Sequence, residues 1–266
     1  MKETILVTGA SSGFGFLLAS KLHKNGYNVI GTSRNPEKYS GTLPFKMIAL
    51  DLDSEQSINT FPERIFKEIR QLDILVNNAG FLVSGIAEET PIELGRQQLE
   101  TNFWGTVKVT NAVLPYLRKK KSGKIITVGS IIGLVSFPNA AYYAASKHAL
   151  EGYFKSLRYE LNEFNISVAM IEPSAFKTSI LNNSSSSLTK IEDYNTLRGK
   201  IEKFTNDLAE RAEDPAIVIE KVLQVIQKDK PKFRNMVGKG TTALVNLQHF
   251  AYGMLEKGVL KQLNRF

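Results

Sequence analysis

Over the first 175 residues, short apolar runs alternate with longer segments whose apolar residues recur every three or four positions. The runs at 4–8, 28–33, 45–50, 74–77, 124–130 and 167–171 read as strands. The segments at about 14–25, 54–70, 91–120 and 141–164 read as helices. In the last of these, Leu150, Tyr153, Phe154, Leu157 and Leu161 fall on one helical stripe. Pro115 lies inside the third and predicts either a kink or a local rearrangement of hydrogen bonds. Strands alternating with helices predict an α/β fold: a doubly wound parallel sheet of about seven strands, helices on both faces, right-handed crossovers.

Beyond Pro173 the pattern changes. Residues 182–187 are polar and low in complexity and predict a mobile loop. Helices follow at about 191–211 and 214–228, then a last strand at 232–237. The tail, 241–266, reads as helical with interruptions near Gly253 and Gly258. Its Leu255, Val259, Leu260, Leu263 and Phe266 need a surface to cover. With no repeat and no linker, residues 1–266 read as one domain, with 175–211 as a substrate loop or lid and 239–266 as a helical extension.

Composition removes several classes of chemistry. There are no cysteines, which excludes disulfides, thiolate catalysis and cysteine-held metals. His23, His148 and His249 are scattered and lack metal-ligand spacing, so no metal is expected. The net charge of +8 raises nucleic-acid binding, but the basic residues are spread along the chain. The one dense cluster, residues 118–121, falls at a helix C-terminus, where cations are favourable for dipole reasons. No nucleic-acid partner is therefore expected. No apolar stretch reaches the ~20 residues of a membrane span. The chain enters a strand at once, leaving no room for a signal peptide, and a cytoplasmic location is expected.

Two patterns carry chemistry. After the first strand, Thr8-Gly9-Ala10-Ser11-Ser12-Gly13-Phe14-Gly15 opens a helix. Gly9 suits a tight turn, Gly13 a close approach of backbone to pyrophosphate, and Gly15 close helix–strand packing. The first-turn amides, with Ser11, Ser12 and Phe14 in the cradle, favour an anion at the helix N-terminus. The second strand ends in Ser33-Arg34 without the acidic residue that binds a ribose 2′-hydroxyl. A hydroxyl beside a guanidinium matches a 2′-phosphate, so NADP(H) is expected over NAD(H). Asp51, followed by Leu52, is placed to accept from the adenine amino group, or else to cap the next helix, a task Asp53 or Ser54 suits as well. The second pattern is Tyr143 and Lys147, four apart on a helix and so on one face. A nearby ammonium favours phenolate and predicts a Tyr143 pKa lowered from ~10 toward the working pH. Tyr142 is rotated ~100° away and reads as pocket lining or packing.

With these in place, the chain resembles the short-chain dehydrogenase/reductase family, closely over roughly residues 3–180. Beyond the glycine turn, it carries Asn77-Asn78-Ala79-Gly80, Asn102 within Thr101-Asn102-Phe103-Trp104-Gly105, and Ser130 thirteen residues before Tyr143. The tail is similar only in layout, most like the hydroxysteroid- and retinol-dehydrogenase-like branches. The resemblance implies a Rossmann-type fold with Asn78, Ala79 and Gly80 beside the cofactor. Tyr143 would be general acid/base, and Lys147 would lower its pKa and bind the nicotinamide ribose. Ser130 would bind the substrate oxygen, and Asn102 would hold a water in a proton relay. Pro173 and the backbone of Ile171 would contact the nicotinamide end, and Thr178 would bind the cofactor's carboxamide or phosphates. The family commonly has glycine after that proline, whereas Ser174 stands here, which predicts a different loop path.

The expected function is NADP(H)-dependent interconversion of a carbonyl and an alcohol. A serine hydrolase would need GxSxG, and Gly129-Ser130-Ile131-Ile132-Gly133 misplaces the serine. A catalytically silent dinucleotide sensor or scaffold is the alternative on the same fold. Phe81, Leu82, Val83, Ile132, Leu134, Val135, Phe137 and Phe176 flank the motifs and predict a bulky hydrophobic substrate. Assembly through the helices at 91–120 and 141–164, as homodimer or homotetramer, is expected from the family resemblance.

Overall fold

The computed structural model describes residues 3–177, 185–186 and 190–265. Seven parallel strands form one sheet: β1 (Thr4–Val7), β2 (Asn28–Ser33), β3 (Lys46–Ala49), β4 (Ile74–Asn77), β5 (Gly123–Val128), β6 (Ile166–Pro173) and β7 (Arg234–Val237). Their spatial order is β3-β2-β1-β4-β5-β6-β7. The order reverses direction between β1 and β4, which opens a crevice at the carboxyl ends of those strands. All four residues of β1 and of β4 are buried, as a sheet covered on both faces requires.

Alternation along each strand feeds two cores. Ile5, Val7 and Val76 face α1 (Gly13–Lys24) and α8 (Ala216–Gln227), through Leu18 and Leu22 on the first helix and Val218, Val222 and Ile226 on the second. Leu6 and Leu75 face the other way, toward α3 (Phe61–Glu68), α5 (Thr106–Lys120) and α6 (Ala141–Glu160). Each fully buried Leu, Ile or Phe side chain contributes about 1.5–3 kcal/mol of transfer free energy, so both faces are needed to hold the sheet.

Several elements differ from the sequence reading. The helix expected at 54–70 is two, α2 (Glu55–Asn59) and α3, because Pro62 sits in the first turn of α3 and supplies no amide to continue α2. The helix expected at 91–120 contains α4 (Ile92–Leu99) and α5 joined by a π-helical segment, Glu100–Gly105. Pro115 does not end α5; it lies on the exposed face, where the carbonyl it frees is open to solvent. In the tail the break falls at Ala251, between α9 (Thr241–Phe250) and α10 (Tyr252–Leu263), and not at Gly253 or Gly258, which lie inside α10. A helical glycine costs only about 1 kcal/mol, which the buried stripe of α10 offsets. Within the loop expected at 182–187, Ser185–Ser186 pairs with Val83–Ser84 as a two-stranded ladder. The remainder of that loop lies outside the described residues.

Candidate active site

The carboxyl ends of β1, β2, β4, β5 and β6 open into one cleft of about 1470 Å³, closed on its far side by α7 (Asn195–Glu210), α9 and α10. At its β1 end lies the glycine turn. Gly9 and Gly13 have φ of +65° and +54°, in the left-handed region that glycine enters without strain. A Cβ on Gly9 would come within 2.8 Å of Ala79 Cα, and one on Gly15 within 2.3 Å of the Gly9 carbonyl oxygen. The turn is therefore packed tightly against the chain after β4. That second layer is pinned by hydrogen bonds: Thr8 Oγ1 accepts from the amides of Asn78 (2.9 Å) and Ala79 (3.1 Å). Asn78 Nδ2 donates back to the carbonyls of Thr8 (2.9 Å) and Gly9 (3.3 Å). Asn78, Ala79 and Gly80 line the cleft, but the Asn78 side chain is spent on holding the turn. Gly9, Ser11, Ser12, Gly13 and Phe14 line it too, while Gly15 sits behind, where α1 meets the turn.

At the end of β2, Ser33 and Arg34 both line the cleft. Ser33 is buried, and its hydroxyl has no hydrogen-bond partner among the described residues. A buried unsatisfied hydroxyl costs free energy unless a ligand completes it. Arg34 beside it is exposed. This pair and the glycine cradle, where a Cβ would not fit, suit the ribose and pyrophosphate of a dinucleotide. Asp51 and Leu52 form the adjoining wall. Asp51 Oδ1 accepts from the Asp53 amide at 3.1 Å, and Ser54 takes the capping role on α2, accepting from Ser57 N at 3.2 Å. Leu52 is held by the π segment: a Cβ on Gly105 would meet Leu52 Cβ at 2.7 Å.

At the other end, Ser130, Tyr143 and Lys147 meet on one wall of the cleft. Ser130 follows β5, its Oγ accepts from Ile132 N at 3.2 Å, and its side chain lies beside the Tyr143 phenol. Lys147 is buried and its Nζ donates to the Val128 carbonyl at 3.0 Å. The ammonium lies 5.6 Å from the centre of the Tyr143 ring. Burial pushes the Tyr143 phenol up to about 12, and the Ser130 hydrogen bond opposes this. Burial likewise pulls Lys147 down to about 8, opposed by the Glu151 carboxylate one turn along α6. The lowered Tyr143 pKa expected from the Tyr–Lys spacing is thus not found here. Desolvation of both groups outweighs their mutual stabilisation while Lys147 is bound to a backbone carbonyl.

Asn102 lies in the π segment, a feature frequent at functional sites. It is buried and does not line the cleft. Its Oδ1 accepts from Phe81 N (3.0 Å), and its Nδ2 donates to Phe81 O (2.9 Å) and Ser146 Oγ (3.4 Å). It therefore clamps the chain after Gly80 onto the helix that carries Tyr143 and Lys147. Pro173 lines the cleft, whereas Thr178 lies outside the described residues. Ile171 is buried in the core, its carbonyl accepting from Gly129 N at 2.8 Å. Tyr142 packs on Gly95 of α4, where a Cβ would meet its ring at 2.4 Å, and does not line the cleft.

Of the apolar residues expected in the pocket, Phe81, Leu82, Ile132, Phe137 and Phe176 line it. Val83, Leu134 and Val135 do not. Val83 and Val135 are buried, and Leu134 packs partly buried beside Val135. Sequence reasoning missed Phe204, Leu208, Leu247 and Met254, which come from α7, α9 and α10. It also missed a buried ionic cluster behind Lys147. Arg234 Nη2 contacts Glu151 Oε2 at 3.1 Å and its Nε lies 3.5 Å from Glu172 Oε1, with Asn235 N donating to Glu172 Oε2 at 2.7 Å. Burial raises the pKa of both carboxyls. Proximity to Glu151 raises Glu172 further, and Arg234 opposes both shifts. The only sequence signal was the buried-facing position of Glu151, one turn after Lys147.

Ser174 does not adopt a left-handed conformation. Its amide donates to the Val237 carbonyl at 2.9 Å, and its side chain occupies the space beside Gly238, where a Cβ would approach Ser174 Oγ to 1.9 Å.

Among the described residues no helix is long and apolar enough to cross a membrane. The short chain dehydrogenase family model matches residues 3–189. The chain is 41% identical over 254 residues to the uncharacterized oxidoreductase YusZ of Bacillus subtilis, covering 90% of each. It is 36% identical over 238 residues to a 3-ketodihydrosphingosine reductase of Bacteroides thetaiotaomicron, covering 89% of this chain and 88% of that one. The solved structure of ElxO with NADP bound superposes with a TM-score of 0.76 at 25% identity, over 91% of this chain and 100% of ElxO. With the parallel sheet, the glycine turn and the nicotinamide-dinucleotide site, these similarities make the chain an oxidoreductase of the short-chain dehydrogenase family.

Proposed function

We propose that this oxidoreductase uses NADP(H) to interconvert a bulky hydrophobic ketone or aldehyde with its alcohol. The observation that carries the reading is the meeting of Ser130, Tyr143 and Lys147 in a cleft whose other end holds the glycine turn, the orphaned Ser33 hydroxyl and Arg34. Gly9, Gly13, Ser33 and Arg34 would hold the dinucleotide, which supplies or accepts the hydride when bound. Ser130 orients the carbonyl oxygen by its hydroxyl. Tyr143 gives that oxygen a proton in reduction and removes it in oxidation. A phenol raised to about 12 holds its proton at neutral pH but gives it up reluctantly, so donation in reduction depends on a cation beside it. Lys147 supplies the cation that stabilises the phenolate left behind, and Asn102 fixes the spacing of its helix from the β4 loop. The walls from α7, α9 and α10 add Phe204, Leu208 and Leu247, which exclude water and favour an apolar substrate. The relative named 3-ketodihydrosphingosine reductase acts, by that name, on a ketone.

The test begins with cofactor. Fluorescence titration with NADPH and NADH should show tighter binding of NADPH, and Arg34→Asp should remove that preference. Turnover of a panel of apolar ketones follows. Equal affinity for the two cofactors in wild type refutes the NADP assignment, and turnover of sugars in preference to apolar ketones refutes the substrate class.

A further inference from the structure

The α9–α10 tail carries apolar side chains that oxidoreductase chemistry leaves unused. Phe250 is 82% exposed, Met254 67%, Tyr252 56% and Leu260 53%. Phe250, Tyr252 and Met254 cluster within five positions at the corner formed at Ala251, and exposed apolar patches mark interaction sites. Cations outnumber acids along the tail. Lys257, Lys261 and Arg265 are exposed, and Glu256 is the only acid between 241 and 265. Met254, Lys257 and Lys261, three and four residues apart, form one outward stripe of α10, while Leu255, Val259 and Leu263 on the opposite stripe pack inward. Neither lysine makes an ion pair among the described residues. Leu247 and Met254 bracket the corner and also line the cleft, so the patch is part of the cleft's rim.

We propose that the α9–α10 corner docks on an anionic lipid surface, with Phe250 and Met254 at the acyl boundary and Lys257 and Lys261 at headgroup level. An apolar tip flanked by lysines whose stems reach back to polar headgroups is the arrangement that lies in a membrane interface. Each lysine near an anionic surface adds attraction that fades within a Debye length. A second copy of this chain fits less well, because a two-fold contact would set the same cations against themselves. Docking there turns the cleft mouth toward the bilayer, so that an apolar substrate enters without crossing water. That consequence rests on the hydrophobic-substrate reading; the docking does not.

The experiment is cosedimentation of the purified full chain, without substrate, with phosphatidylcholine vesicles containing about a third phosphatidylglycerol. The expected result is binding that falls about tenfold or more on pure phosphatidylcholine, and by a similar factor in the Phe250→Ser/Met254→Ser variant at unchanged melting temperature. Absence of binding to the anionic vesicles overturns the proposal, as does binding that the double variant leaves intact. Light scattering on the same samples adds a third outcome. A wild-type dimer that the variant dissociates, without vesicle binding, assigns the patch to self-association and overturns it equally.

Discussion

Arg234 holds two buried carboxyls at once, and replacing it by methionine, which keeps the stem and deletes the charge, should expose that burden. Glu172 is fully buried and Glu151 nearly so, each retaining an oxygen without a hydrogen-bond partner among the described residues. Removing one member of a buried ion pair typically costs 3–5 kcal/mol. The Arg234 side chain is 38% exposed, so water already screens part of its charge and the lower end applies, about 3 kcal/mol at pH 8.5. At about 2–4 °C per kcal/mol for a chain of this size, the melting temperature should fall by roughly 6–12 °C. The sign with pH follows from linkage. Both carboxyls have folded pKa values raised above their unfolded ones. Their contribution to stability is therefore complete below the unfolded value and is lost as pH rises through the folded one. Without Arg234 both values rise further. The deficit should be smaller at pH 5.5, toward the range where a raised carboxyl takes up its proton, and larger at pH 8.5. Adding Glu151→Gln to Arg234→Met removes the carboxyl that faced the guanidinium at 3.1 Å and should restore most of the loss. Urea unfolding at the two pH values, on the single and double variants, measures all of this. An equal deficit at both pH values, or one that Glu151→Gln leaves untouched, would mean that Arg234 acts through packing and refute the electrostatic account.

Three further outcomes are expected. Tyr143→Phe should lower turnover by about 10²–10⁴-fold while leaving NADPH affinity nearly unchanged, measured by steady-state kinetics beside a binding titration. Gly15→Ala places a methyl 2.3 Å from the Gly9 carbonyl and 2.4 Å from Asn78 Nδ2, so the turn must move. Its NADPH Kd should rise steeply and its stability drop by about 1–3 kcal/mol; an intact Kd would show that the cradle tolerates displacement. Carbonyl reduction should decline as pH rises through about 8, where Lys147 loses its proton, and Glu151→Gln should move that decline to lower pH, because Glu151 is what holds the lysine's pKa up. A pH–rate profile that Glu151→Gln leaves in place would break the link between the two residues.

Local patterns in the chain disclosed local structure. Apolar runs bounded by turns located all seven strands to within a few residues, and the glycine spacing located the turn after β1, because both are written in consecutive residues. What stayed hidden depends on partners far away in the chain. Glu172 and Arg234 are 62 positions apart, and no periodicity tells a buried carboxyl from an exposed one across such a gap. The apolar lining from α7 and α10 belongs to helices whose stripes predict burial without saying against what. The Tyr143 pKa failed for a related reason. Spacing on a helix reports that Lys147 is near, whereas the pKa depends on how much water both groups have lost. The break at Ala251, and not at either nearby glycine, shows that packing against α9 outranks intrinsic propensity over so short a span.

The contact between Ser174 and Gly238 bears on how this chain tolerates change. The end of β6 and the end of β7 share room for a single small side chain, and it is filled from the β6 side. A comparison made one position at a time would score Ser174 as a glycine lost. The dependence runs one way: Ser174 requires glycine at 238, whereas Gly238, with φ of +118°, would stay strained under any side chain even if position 174 were emptied.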